Sequence, residues 1–336
     1  MGSIREYGRL IRPYGILFLG FTPVFSALCN GQFDGFHLAV LLVIGLLLHV
    51  FTFVQNDYYD VAVDAKSTYV LKRPLITGAI TRSHAFIIVL VSFFLSFFLA
   101  AVFLFTVRSI IMLFLSFLLI TFYNKYSKKI TGMEFVLGAS VFSLGLFGAL
   151  TVTETITPLA IIISSLGFLQ WVFSVGIAAN IKDVEFDTKQ GIRTTPVLFG
   201  VHTDGTTLKK PVGFLLYASG IKTIHILIGA LPFLLGYTSV LSFGVPLPLV
   251  GFLLIGGIII VTTAGVLSIT VEKRNTMLRY EGVQEGFSLL LIPCVLLSYL
   301  LEHFSVLFIL LLFLLLILWP LFILRVLYGK TLIPLE

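Results

Sequence analysis

Residues 36–64 read FHLAVLLVIGLLLHVFTFVQNDYYDVAVD. The first twenty are apolar enough and long enough to cross a bilayer as a helix. The last nine, Asn56 to Asp64, carry Asn56, Asp60 and Asp64 at i, i+4 and i+8. If the helix continues through them, the three side chains share one face. A membrane helix that ends in a stripe of acids sets both the fold class and the chemistry to be explained.

The rest of the chain is built to match. Of its 336 residues 58% are hydrophobic and 11% are charged, against roughly 25% charged in a soluble domain. A soluble globule, a disordered chain and an ordinary nucleic-acid binder are excluded, and the class is a polytopic membrane protein. Apolar runs at 14–31, 36–55, 84–106, 108–124, 133–152, 157–181, 212–237, 245–270, 286–301 and 304–328 predict an all-α bundle of nine or ten transmembrane helices. The run 286–301 is short, either a full span or part of a broken unit with the last stretch. Cys29 and Cys294 lie in apolar runs with no Cys/His cluster near them, so neither a disulfide framework nor zinc is expected. The first run is followed at once by a second span and reads as a helix rather than a cleaved leader.

Basic residues orient the bundle. With the N-terminus inside, segments 1–13, 56–83, 125–132, 182–211 and 271–285 hold 18 of the 22 Lys and Arg. The turns near 32–35, 153–156 and 238–244 hold none, and Arg108 is the exception on that side. The positive-inside rule predicts a multi-pass protein of the cell membrane, with its N-terminus and long loops cytoplasmic. Lys222 falls inside the seventh run, where it either snorkels or faces a cavity.

Two cytoplasmic cap loops, 56–83 and 182–211, are long, and long loops in compact proteins commonly carry function. The second opens with Asp183 and Asp187, again an i, i+4 pair at the inner end of a span. Each motif is followed by a similar tail, Lys72-Arg73-Pro74-Leu75 in one and Arg193-Thr194-Thr195-Pro196-Val197-Leu198 in the other. The chain therefore reads as two pseudo-repeated four-helix halves, each with one acidic helix end. One Asp at a membrane helix end is ordinarily a solvated cap, as Asp34 and Glu154 in the outer turns are expected to be. Two matching multi-acid stripes are not explained that way, because stacked carboxylates repel unless cations hold them. Oxygen-only ligands, Asn56, Asp60, Asp64, Asp183 and Asp187, point to Mg²⁺, which usually completes its shell with substrate phosphate. Nearby bases, Lys66, Lys72, Arg73, Lys128, Lys182 and Arg193, suit the remaining phosphate charge. At the mouth of an apolar bundle, a lipid-tailed diphosphate is the economical ligand. His49 and His84 are expected to be packed or interfacial, and Tyr123 is a candidate for the rim of the site. A cation-coupled transporter is the alternative, but transporters place their charges near the midplane, not at the interface.

The motifs Asn56-Asp57-x-x-Asp60-x-x-x-Asp64 and Asp183-x-x-x-Asp187, with the tails Lys72–Ile80 and Asp187–Gly200, resemble the UbiA superfamily of intramembrane prenyltransferases over residues 5–301. The resemblance implies a helical bundle with a central cavity under a cytoplasmic cap, and two Mg²⁺ ions binding a prenyl diphosphate between the motifs. Carried over by position, Asn56, Asp60, Asp64, Asp183 and Asp187 would hold metal, and Asp60, Asp64 and Asp187 would be catalytic. Lys128 would meet the diphosphate, with Lys125 the alternative, joined by Arg73 and Lys182. Arg12 and Tyr123 would meet the acceptor. The reaction implied is transfer of a prenyl group to an aromatic or hydroxyl-bearing lipid or quinone-precursor acceptor within the bilayer, releasing pyrophosphate, with no nucleic-acid partner. Residues 1–303 would form this domain. Residues 304–336 would be an added C-terminal helix and tail.

Overall fold

The structure is a computed structural model that describes residues 3–67, 70–204, 207–268 and 274–332. Lys273, one of the inner bases, lies outside the described residues. The helices are α1 (Ile4–Ile11), α2 (Ile16–Cys29), α3 (Gly35–Asp64), α4 (Arg82–Phe103), α5 (Val107–Tyr126), α6 (Met133–Leu150), α7 (Pro158–Phe173), α8 (Val184–Gln190), α9 (Thr195–Leu198), α10 (Val212–Leu234), α11 (Leu247–Ser268), α12 (Arg274–Val295), α13 (Leu297–His303) and α14 (Val306–Tyr328). A π-helical turn, Ser174–Ala179, extends α7, and strands β1 (His202–Asp204) and β2 (Thr207–Lys209) form a small antiparallel hairpin. Among the described residues eight helices are long and apolar enough to cross a bilayer, and two bent pairs raise the number to ten if each is one span. The chain is an all-α, multi-pass membrane protein.

The largest difference from expectation is at α12; the expected loop 56–83 also begins only after Asp64, and 182–211 contains α8 and α9. Residues 274–285 are not an inner loop but the first turns of α12, and the span runs on to His303 with a 56° bend after Val295. Hydropathy hides this helix because its first half is polar, yet Gln284 is fully buried. Gln284 faces protein rather than lipid. The boundary at 303/304 falls in the short break between α13 and α14.

The chain forms two compact units. One comprises Met1–Lys125, Ser140–Ala160 and Ile317–Glu336, and the other Tyr126–Ala139 and Ile161–Leu316.

In the first unit α2 and α3 pack backbone to backbone. A Cβ on Gly45 would lie 2.4 Å from the carbonyl oxygen of Leu19 and 2.8 Å from Cα of Gly20, so only glycine fits the crossing. Phe117 of α5 packs edge-on against Phe51 of α3 and Phe93 of α4, with centroids 4.7 and 5.2 Å away. Polar side chains then set the register next to the acidic motif. Asn124 Nδ2 donates to the carbonyl of Thr52 (3.1 Å) and to Gln55 Oε1 (2.9 Å), and Gln55 Nε2 donates to Thr121 Oγ1 (3.2 Å). Where no water reaches, such bonds are made inside the protein or not at all. At the opposite end Asp34 caps α3 by accepting from the His37 N–H at 2.7 Å. Arg108 lies against Glu154, with a side-chain separation of 3.7 Å. These are structural roles.

The second unit is cored by Val172, Phe173, Ile177, Phe214, Val266 and Met277. The π turn carries one more residue per turn than an α-helix, which re-aims the chain as it leaves α7, and such turns are frequent at functional sites.

Candidate active site

The first acidic motif is the end of α3, which runs unbroken to Asp64. Asn56 and Asp60 meet on one face, with Asn56 Nδ2 donating to Asp60 Oδ2 at 3.3 Å. Asp57, Asp60 and Asp64 are all buried, and the charges that answer them come from far along the chain. Arg12 Nη2 donates to Asp57 Oδ1 at 2.6 Å, and Arg73 Nη1 lies 3.3 Å from the same oxygen. Arg73 also pairs with Asp64. The tail places Arg73: its carbonyl accepts from the N–H groups of Ile76 and Thr77, both at 3.0 Å, and buried Leu75 and Ile80 anchor the turn. Arg73, expected on phosphate, is thus brought to the first acidic motif. Asp57, whose role the motif leaves undefined, is the hub of two ion pairs. Lys125 in the last turn of α5 is exposed and Tyr123 is half-buried. His49 is packed, its Nε2 lying 3.1 Å from the carbonyls of both Ile11 and Arg12.

The second motif lies at the start of α8. Asp183 occupies the N-cap position, and Asp187 in the first turn is buried, accepting from Thr194 Oγ1 at 3.2 Å. The tail is again the partner: the chain reverses at Gly191 and the Ile192 N–H bonds back to the Asp187 carbonyl at 2.9 Å. Thr131, in the loop of Lys128, donates to the Arg193 carbonyl at 2.7 Å. Lys128 and Lys182 are half-buried.

Two features of this unit escape sequence reading. Glu134 is buried at the start of α6, accepting from Thr195 Oγ1 and, at 3.3 Å, from Tyr217. Its only signal in the sequence is an acid at the entry to an apolar run. Deeper in the unit is a polar layer. Gln170 and Gln284 exchange hydrogen bonds at 3.2 and 3.3 Å, and Gln170 Nε2 donates to Ser174 Oγ at 2.7 Å. Lys222, 3% exposed, donates to Gln170 Oε1 and lies 4.4 Å from the Phe173 ring centroid. It neither snorkels nor stands in solvent.

Among the described residues no three His, Cys, Asp or Glu side chains cluster closely enough to form a metal cage. The donor set of the first motif nonetheless suits a hard divalent ion. Asn56 and Asp60 present oxygen from one face, Asp64 stands one turn on, and no soft ligand competes. Magnesium typically takes one or two protein carboxylates and fills its shell with water and phosphate, so a full protein cage is not required.

The family model of the UbiA prenyltransferase family matches residues 17–274. A 4-hydroxybenzoate octaprenyltransferase from Serratia proteamaculans (strain 568) is 27% identical over 215 residues, 63% of this chain and 71% of that protein. A solved structure concerned with digeranylgeranylglyceryl phosphate synthase in membranes superposes with a TM-score of 0.61 at 19% identity, covering 89% of this chain and 98% of that one. A UbiA homologue from Archaeoglobus fulgidus bound to DMAPP and Mg²⁺ gives a TM-score of 0.56 at 19% identity, covering 85% and 99%.

Proposed function

This chain belongs to the UbiA prenyltransferase family and is a prenyltransferase, and from that premise we propose that it moves a prenyl group from a prenyl diphosphate to an acceptor within the membrane, releasing pyrophosphate with Mg²⁺. The observation that carries the reading is the end of α3. There Asn56 and Asp60 touch, and Arg12 and Arg73 gather on the carboxylates beside them. That is the charge pattern expected where a multiply charged anion and a divalent ion meet.

In this reading Asn56, Asp60 and Asp64, together with Asp183 and Asp187, hold two Mg²⁺ ions. The pairing of the two motifs rests on the repeated sequence pattern and on family membership. When bound, the metal neutralises the departing diphosphate as a Lewis acid. The chain's own residues do the rest. Arg73, Lys128, Lys182 and Lys125 hold the remaining phosphate charge. As the C–O bond breaks, the electron pair leaves with the pyrophosphate and an allylic cation remains in the apolar, aromatic interior. Exclusion of water there prevents quenching. Arg12 and Tyr123 bind the acceptor, whose aromatic carbon or hydroxyl attacks C1, and its proton passes to a carboxylate, Asp64. Oriented by its inner bases, the protein keeps its N-terminus and both motifs cytoplasmic. The A. fulgidus homologue bound to DMAPP and Mg²⁺ supports the donor class and the metal. The 4-hydroxybenzoate and digeranylgeranylglyceryl phosphate enzymes frame the acceptor as an aromatic acid or a phosphate-bearing lipid alcohol.

Radiolabelled geranylgeranyl diphosphate offered with a panel of both acceptor types, in detergent with and without Mg²⁺, tests this. Asp60→Asn and Asp187→Asn should each lower pyrophosphate release by about 100-fold or more, the scale of losing preorganised charge stabilisation. Full turnover in both variants would refute the metal assignment.

A further inference from the structure

Helix α14 lies beyond residue 274, where the family match ends, yet in the first unit its last turns are joined to the N-terminal segment at every level. Trp319 Nε1 donates to the carbonyl of Pro13 at 2.6 Å. Arg5 donates through Nε and Nη2 to the carbonyl of Leu327 at 3.2 and 2.7 Å. Tyr14 and Tyr328 meet edge to face with centroids 6.2 Å apart. Gly8 makes the closest approach, since a Cβ there would lie 2.9 Å from Leu327 Cδ2.

What this clasp holds is a strained residue. Arg12 has φ 55° and ψ 54°, a left-handed conformation that a long side chain rarely adopts and that persists only where its surroundings impose it. Three consecutive carbonyls fix it: His49 bonds to those of Ile11 and Arg12, and Trp319 takes that of Pro13. The result is that the Arg12 guanidinium reaches Asp57.

Around that ion pair is a cleft whose empty volume, open mouth included, is about 310 Å³. Its lining includes Arg9, Arg12, Lys72 and Arg73 with the phenols of Tyr14 and Tyr328, and Asp57 is its one acid. Glu6 on Arg9 and Asp64 on Arg73 still leave the lining net positive. Guanidinium forks and phenol hydroxyls together are suited to an oxyanion.

We propose that α14 is part of the substrate-binding apparatus: by clasping residues 5–14 it positions Arg12 and, through Tyr328, closes a basic pocket that binds the phosphate or carboxylate group of the acceptor. The proposal rests on the prenyl-transfer reading. Trp319 is a positioning residue, and Arg12, Lys72 and Tyr328 contact the anion.

The test uses the full-length protein in detergent. The chain has two tryptophans, so in a Trp171→Phe background only Trp319 reports. Sodium phosphate and sodium benzoate are titrated separately at constant ionic strength. A saturable change in Trp319 emission is expected with at least one anion. The response should vanish in Arg12→Gln/Lys72→Gln. In turnover assays Trp319→Phe, which keeps an aromatic ring but loses the N–H, should raise the acceptor KM by about fivefold, the size of one lost hydrogen bond, leaving the donor KM unchanged. No saturable response to either anion, a response that survives the double variant, or equal rises in both KM values would overturn the proposal. Because the titration needs no turnover, it stands or falls independently of the Asp60 and Asp187 variants.

Discussion

Asp57 and Lys222 show how differently one buried charge can be held. Asp57 is 3% exposed and answers two arginines. Removing its carboxylate takes from Arg12 the counter-charge it meets at 2.6 Å, while Arg73 keeps Asp64, so Asp57→Ala should cost about 3 kcal/mol. Asp57→Asn, which still accepts a hydrogen bond, should cost less. Thermal unfolding in detergent reads the order, and equal losses would mean that the charge alone matters and the retained hydrogen bond does not. Lys222 is bound to one amide and one aromatic face, with the Glu285 carboxylate as its electrostatic counter-charge. Lys222→Met takes a balancing charge from Glu285 and should cost about 3 kcal/mol or more. Gln170→Leu removes one acceptor but leaves that charge balance in place and should cost about 1–3 kcal/mol. A smaller loss for Lys222→Met than for Gln170→Leu would contradict this account. The pairing of Arg12 with Asp57 was not legible beforehand. Forty-five positions separate them, and spacing arguments reach only one or two helical turns.

At the level of the element, α3 was the most legible part of the chain. Its apolar run, its i, i+4 acids and its continuation to Asp64 were all local properties, and the helix has those bounds. Helix α12 was the least legible. Hydropathy sees lipid preference and cannot tell a polar residue facing water from one facing another helix, so a half-polar helix read as a loop. A tight packing constraint also belongs to this scale. Gly45 lets α3 lie against the backbone of α2, and α3 carries the acids. Gly45→Val would force the helices apart and should destabilise by about 1–3 kcal/mol. It should also lower pyrophosphate release, because the displaced α3 loses its bond between His49 and the Arg12 segment. Wild-type melting and activity in this variant would show that the crossing tolerates a side chain.

For the whole molecule, the bias of basic residues toward alternate loops predicts sidedness, and exposed positions within the first unit make it measurable. Lys66 is exposed on the loop after Asp64, and the Glu154 side chain is 80% exposed in the turn before α7. The native thiols, Cys29 and Cys294, are buried. A membrane-impermeant maleimide should label Glu154→Cys in intact cells and Lys66→Cys only in inverted vesicles. The reverse pattern would turn the topology over.

The sequence by itself determined that the chain spans a membrane many times, that its helix ends carry two acidic motifs with basic tails, and that these suit a metal and a phosphate. Those properties are local: a bilayer selects apolar runs of fixed length, and a helix turn aligns residues four apart. Only the tertiary structure decided which distant bases meet the acids, that Glu134 and Lys222 are buried among polar partners, and that α14 closes around the N-terminal segment. Such contacts join residues up to 322 positions apart. They depend on how side chains fill the space between helices, which the order of residues along one helix does not encode.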